Sequence, residues 1–351
     1  MDHIRILRRA FEITRLYRAL WVFGILVALT TSRSSGNPGG SGSRPDNGQT
    51  PPFPDRFPPF DWPNIPPDVI NTIIAVSIAV VCLLLVVGIG FAILRYLSQT
   101  ALIRMVDGYE SVGERVSVRN GFRLGWSRGA FRTWLVDLLF GVIGFVIVIL
   151  LLLLAAAPLL LWLTQDTTAG VIGTVITVGL AMLVIVTLIV AGSAVSLLMQ
   201  LIRREIVLGG KGVFDGIRGG WQLLIRRLGD VIIMGLILFG IGLGLAILTI
   251  PLFFLLAAVG VVAGGLPALL VGGITNIFTQ GVTPQIVAAA VGLPILLLVI
   301  FSPLIFLGGL VETFYSTTWT LTYRELLALE AVRSEPPVAP APEPVEPELP
   351  E

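Results

Sequence analysis

The chain has 351 residues, 55% of them hydrophobic and only 13% charged, with a mean hydropathy of +0.92. That apolar share exceeds what a soluble domain carries and places the chain among integral membrane proteins. The formal net charge of +1 hides a segregation, with the base in three clusters and much of the acid near the C-terminus, so net charge says nothing about partners.

Residues 1–31 read as a cytoplasmic amphipathic segment followed by a first span. The fully apolar stretch is only the twelve residues 19–30, reached through Arg15-Leu16-Tyr17-Arg18. A charged lead, a short apolar run and a polar exit also describe a secretory signal peptide. No clear small-residue cleavage site follows, and the Arg/Tyr/Trp flank suits a retained anchor. The single histidine, His3, stands at a terminus expected to be mobile.

Residues 32–68 hold ten prolines and five glycines and read as a disordered extracytoplasmic loop. Phe53, Phe57, Phe60 and Trp62 are interleaved with those prolines, as a solvated linker or as a strip resting on the bilayer surface. The helical membrane domain then runs over 69–330. A crossing needs about 20 apolar residues for a ~30 Å hydrocarbon core, which places spans near 69–94, 138–164, 168–202, 231–255 and 286–311. The sole cysteine, Cys82, excludes an intrachain disulfide or a thiolate metal site and reads as a small core hydrophobe. A tight turn at Gln165-Asp166-Thr167 joins the third and fourth spans. From Val231 to Val311 there is no charged residue, and five prolines divide the run. Its glycine-rich part, 258–278, reads as a re-entrant or interfacial helix, or as a seventh crossing that would break the charge topology. The Pro/Glu-rich tail, 331–351, reads as disordered.

The basic residues orient these spans. Residues 1–18 carry five arginines, 95–132 carry seven arginines against three acids, and 203–227 carry six basic residues against two. The intervening loops carry three arginines against four aspartates, then a lone Asp166, then nothing. The positive-inside rule puts the N-terminus and both basic loops in the cytoplasm, and six crossings return the C-terminus there.

A basic, glycine-rich element appears twice, as Gly-Phe-Arg-Leu-Gly-Trp at 121–126 and Gly-Ile-Arg-Gly-Gly-Trp at 216–221. Leu-Ile-Arg precedes both, at 102–104 and 201–203, and Arg15 to Trp21 resembles a truncated third version. The organisation this predicts is all-α, with three hairpin repeats, each a cytoplasmic interfacial helix followed by two spans. Arg123, Trp126, Arg218 and Trp221 are candidates for lipid-headgroup contact. Tryptophan favours headgroup level, arginine meets lipid phosphate, and the glycines permit a turn from a surface helix into a crossing one.

Acids at membrane depth are costly and often functional. Asp230 is expected to cap the fifth span, and Asp137 to form an interfacial ion pair with Arg132 nearby rather than a proton relay. Glu312 ends the uncharged run and leads a polar stretch, Thr313 to Thr322. That stretch either lines a cytoplasmic cavity or marks the exit of the last span. Glu312 and Asp137 are therefore the candidate cavity residues.

No catalytic constellation stands out. A Ser-His triad or His-based metalloprotease needs a histidine inside the fold, and no phosphate-binding glycine loop ending in Lys-Ser/Thr occurs. No cofactor, metal or nucleic acid is called for, and the partners expected are membrane lipids and other membrane proteins. The Arg-Ala-Leu-Trp lead into the first span, the Gly-x-Arg-x-Gly-Trp elements and the closing Trp319 to Leu326 resemble uncharacterised bacterial multi-pass proteins. These are similar to the membrane domain fused to glycerophosphodiester phosphodiesterases. The catalytic domain of those fusions has no counterpart here, so the resemblance implies at most a lipid-related or partner role in the inner membrane. The function expected is a non-enzymatic scaffold that organises lipids or partners. A transporter of a small molecule or lipid is the competing reading, and it would use Pro251, Pro294 and Pro303 as helix breaks.

Overall fold

A computed structural model describes residues 1–30, 67–113, 115–164, 166–279 and 282–334. The Pro/Gly-rich loop expected at 32–68 lies outside these residues up to 66, and the acidic tail expected at 331–351 from 335 onward. The described residues form α1 (His3–Leu16), α2 (Ala19–Thr30), α3 (Pro67–Val112), α4 (Val118–Gly125), α5 (Arg128–Ala156), α6 (Thr167–Val207), α7 (Val213–Arg226), α8 (Leu228–Phe278) and α9 (Thr283–Ser334). A 3-10 segment, Ala157–Thr164, extends α5, and there is no strand among the described residues. Five helices are long and apolar enough to cross a membrane, namely α3, α5 with its extension, α6, α8 and α9. The pair α1–α2, bent by 99°, makes a sixth if it is one span.

α1 starts on Asp2, whose carboxylate accepts from the Arg5 backbone N–H at 3.1 Å. Ile6, Ala10 and Ile13, spaced by three or four, are its buried apolar side chains. The terminus, expected to be mobile, is placed against the start of α8, where His3 Nε2 lies 3.3 Å from the Asp230 carbonyl. At the α1–α2 corner the buried Tyr17 hydroxyl donates to the Val116 carbonyl at 2.8 Å and accepts from the Val116 N–H at 2.6 Å. Tyr17→Phe leaves both Val116 groups unpaired and is expected to lower stability by about 1–3 kcal/mol, read as a shift in the thermal unfolding midpoint in detergent.

Two α-helices replace the broken pattern expected after residue 231. α8 is continuous for 51 residues through Pro251 and Pro267, and α9 for 52 residues through Pro294 and Pro303. At 1.5 Å per residue each is roughly 75 Å long, more than twice a hydrocarbon core. The segment 258–278 is thus the second half of α8 and no separate helix. It is held by close packing: a Cβ on Gly264 would lie 2.6 Å from the Gly292 carbonyl of α9, and one on Gly272 2.9 Å from the Ala288 Cβ. Such small-residue contact lets the two backbones approach and supports the helix through its prolines. Asp230 also differs from expectation. Arg227 is the N-cap of α8 and Asp230 lies in its first turn, where a carboxylate complements the helix dipole.

The core lies at one end of the bundle. Leu102, Met105, Leu201, Ile202, Val231, Met234 and Leu326 are buried there, from the C-terminal ends of α3, α6 and α9 and the N-terminal end of α8. Over the most apolar window of each long helix, only 0% to 17% of the residues are buried. Cys82 lies on such a face and is exposed, not a core residue.

Candidate functional site

At the packed end, α6 carries three consecutive charges, Arg203, Arg204 and Glu205. Successive residues on a helix stand about 100° apart, so the three point to different neighbours. Arg203 reaches α5, where Nε and Nη2 donate to Asp137 Oδ1 at 3.2 and 3.0 Å and Nη2 donates to Oδ2 at 2.9 Å. Asp137 is therefore an ion-pair residue, as its position suggests, but its partner is Arg203. Arg132, the nearer arginine in sequence, instead donates to the Gly210 and Lys211 carbonyls at 2.8 and 3.0 Å.

Arg204 is 2% exposed and reaches α9. Its Nη1 donates to the Gln200 carbonyl and Oε1 at 2.7 and 2.9 Å, and Nη2 to the Ser316 carbonyl at 3.0 Å. These acceptors are neutral, and the Glu312 carboxylate, which lines a cavity together with Arg204, adds an opposite charge to the hydrogen bonds that make the buried guanidinium tolerable. Glu205, 5% exposed, accepts from the Tyr323 hydroxyl of α9 and from Lys211 Nζ. Gly219 of α7 sits against it, since a Cβ there would lie 2.8 Å from Glu205 Oε1.

Between α3, α6 and α9 this cluster borders a cavity of about 60 Å³, lined among others by Gln99, Thr100, Arg204, Glu312, Ser316 and Trp319. Gln99 Oε1, Thr100 Oγ1 and Arg204 Nε are buried there with no hydrogen-bond partner among the described residues. The space suits a few waters at roughly 10–15 Å³ each and is well below the ~300–1,000 Å³ of a small-molecule site. Glu312 is among the residues that line this cavity. In the polar stretch after it, Ser316 and Trp319 also line the cavity, whereas Thr313, Thr317, Thr318, Thr320 and Thr322 are buried. Four of those hydroxyls donate to the carbonyl four residues back, as Thr313 does to Gly309 at 2.8 Å.

The twin basic elements lie apart from this cavity. α4 docks on α3 and α7 on α6, each through its glycines. A Cβ on Gly125 would lie 2.4 Å from the Leu97 carbonyl, and one on Gly220 2.7 Å from Ile202 Cγ1. These glycines allow close helix approach and do not turn the chain, since the described positive-φ glycines are Gly113 and Gly210. Arg123 and Arg218 are exposed on α4 and α7. Trp126 is 74% exposed at the corner after α4, and Trp221 is 51% exposed within α7. Among the described residues no group of three His, Cys, Asp or Glu side chains is placed to hold a metal ion.

A family of unknown function, DUF7544, matches residues 4–335. The chain belongs to that family. Neither the curated proteins nor the solved structures include a match to this DUF7544 member. The family match brings no link to the membrane domains of glycerophosphodiester phosphodiesterases that the short motifs resemble.

Sequence reasoning missed Arg204, Glu205, Gln99 and Tyr323 in this DUF7544 chain. The signal was the unbroken charge triplet itself. Three adjacent charges on a helix cover about 200° of its circumference, so on a helix that also packs against α5, α7 and α9 they point to different neighbours.

Proposed function

We propose that this DUF7544 protein is a non-enzymatic inner-membrane scaffold that organises lipids or partner membrane proteins, with both termini cytoplasmic. The observation that carries the reading is the exposure of its apolar helices. With at most 17% of the most apolar windows buried, a single chain offers almost all of that surface to lipid or to other helices, while polar residues are locked into one packed end. The element order supports a threefold hairpin plan: a short helix followed by two apolar ones recurs as α1–α3, α4–α6 and α7–α9. The basic clusters support the orientation.

Native membranes solubilised in mild detergent test this reading. Phospholipid or a membrane protein is expected to stay with the purified chain in fixed ratio, and recovery of the bare chain would overturn it. The competing reading is a transporter of a small molecule or lipid, for which the Glu312 cavity has room for only a few waters. Solute or lipid flux across proteoliposomes that is lost in Glu312→Gln would establish that reading instead.

A further inference from the structure

Beside α4, the corner before α5 opens onto a groove of about 680 Å³ between α3 and α5. Its walls are apolar, with Ile89 and Ile93 from α3, Phe131 and Trp134 from α5, and Trp126 from the corner between α4 and α5. The volume falls in the range of sites that bury a small ligand. Ile89, Ile93, Trp126 and Phe131 are exposed, so the groove faces whatever surrounds the protein in a bilayer.

The groove is polar at one end only. Arg128, in the first turn of α5, lines it and is exposed, and it forms no ion pair among the described residues. Next to it the Ser127 hydroxyl is buried without a hydrogen-bond partner and does not cap its own helix. A second guanidinium stands at the same corner: Arg104 Nη2 lies 3.7 Å from where a Gly129 Cβ would be, and Arg104 Nη1 donates to the Leu124 carbonyl at 3.2 Å. The carboxylate nearby, Asp137, lines the adjoining pocket that shares Tyr96 and Trp134, and both of its oxygens are engaged by Arg203. The end is therefore cationic and rich in donors, whereas the rest is hydrocarbon-like.

We propose that this groove binds an anionic phospholipid, with one acyl chain between α3 and α5 and the phosphate on Arg128, Ser127 and Arg104. Guanidinium suits phosphate through paired charge-assisted hydrogen bonds, and Trp126, Trp134 and Tyr96 are the side chains that favour headgroup depth. The adjoining pocket, about 370 Å³ and lined by Leu138, Gly141, Val142 and Phe145, continues the apolar track along α5. The proposal deepens the scaffold reading by naming a lipid and its seat, and it rests on that reading.

The test uses the full chain in mild detergent, titrated separately with dioleoyl phosphatidylglycerol and dioleoyl phosphatidylcholine and followed by native mass spectrometry. Wild type is expected to bind phosphatidylglycerol more tightly. Arg128→Gln should weaken phosphatidylglycerol binding about tenfold, the loss of one charge-assisted contact, with phosphatidylcholine binding little changed. Arg119→Gln, an exposed arginine off the groove, should behave as wild type. Ala130→Trp, which fills the groove, should weaken both lipids; if it unfolds, as a lowered unfolding midpoint would show, Arg128→Gln decides alone. Equal phosphatidylglycerol affinity in wild type and Arg128→Gln overturns the groove assignment while lipid organisation by another surface survives. Displacement of the lipid by millimolar inorganic phosphate overturns it in favour of a free-anion site. A wild type that binds neither lipid overturns both the groove and the lipid half of the scaffold reading.

Discussion

Replacing Gly309 with leucine is expected to separate α2 from α9 and to destabilise the protein by at least ~3 kcal/mol, the upper end of ordinary overpacking. The two helices meet at Gly24 and Gly309 with their backbones nearly in contact. A Cβ on Gly309 would lie 2.7 and 2.8 Å from the Ile25 Cα and N, and one on Gly24 would lie 2.0 Å from Thr313 Oγ1 and 2.2 Å from the Gly309 carbonyl. Backbone atoms cannot rotate away, so the helices must part. The Thr313 hydroxyl, shared between the Gly309 carbonyl at 2.8 Å and the Leu20 carbonyl at 3.3 Å, would lose its bridge across the contact. In an apolar surrounding little else drives helices together, so small-residue contact is the main attraction between them. Gly308→Ala is the control, because a Cβ there meets only the Ala28 Cβ at 3.7 Å, an ordinary contact. Thermal unfolding in detergent should show a large drop for the leucine variant and little change for the control. A Gly309→Leu protein as stable as wild type would remove this contact from the account.

The second large effect concerns Asp137. Asp137→Ala leaves Arg203, whose side chain is only 19% exposed, without its two-oxygen partner. Removing one member of a buried pair costs about 3–5 kcal/mol, because the remaining charge is left without compensation. Arg203→Ala should cost a similar amount. The double variant should cost clearly less than the two together, since neither orphan charge remains. Additive losses in chemical denaturation would show that the two side chains act independently. Asp137→Asn, which keeps the shape and one acceptor, should fall between wild type and alanine.

The membrane character and most of the apolar helices were legible from composition and run length alone. For Asp137 the kind of interaction was legible and the partner was not. Asp137 reads from the sequence as an ion-pair residue, but its mate is 66 residues away because α5 and α6 fold back on each other at residue 166. Local spacing favoured Arg132, which lies on the same helix and points to the loop before α7. Glu312 lines a cavity, but the threonines beyond it are core. Nothing in their composition says so, since a threonine that hydrogen-bonds its own helix can be buried almost as easily as valine. The groove at Arg128 was hidden for a related reason: Trp126 belongs to the twin element, whereas its polar partner lies two residues outside it.

Read by itself, the sequence determined what surface area and charge decide without reference to partners. These are an all-helical apolar chain, basic clusters between its apolar runs, and a twin element that each time precedes a long uncharged segment. Only the tertiary structure decided where helices continue through their prolines, which charges are buried together, and which face of α3 and α5 forms a groove. The physical reason is that hydropathy is a sum over one segment, while a cavity, an ion pair or a continuous helix through proline depends on atoms supplied by another segment. Gly264 against Gly292 and Arg203 against Asp137 are such cases, each set by two stretches of chain whose meeting neither stretch encodes alone.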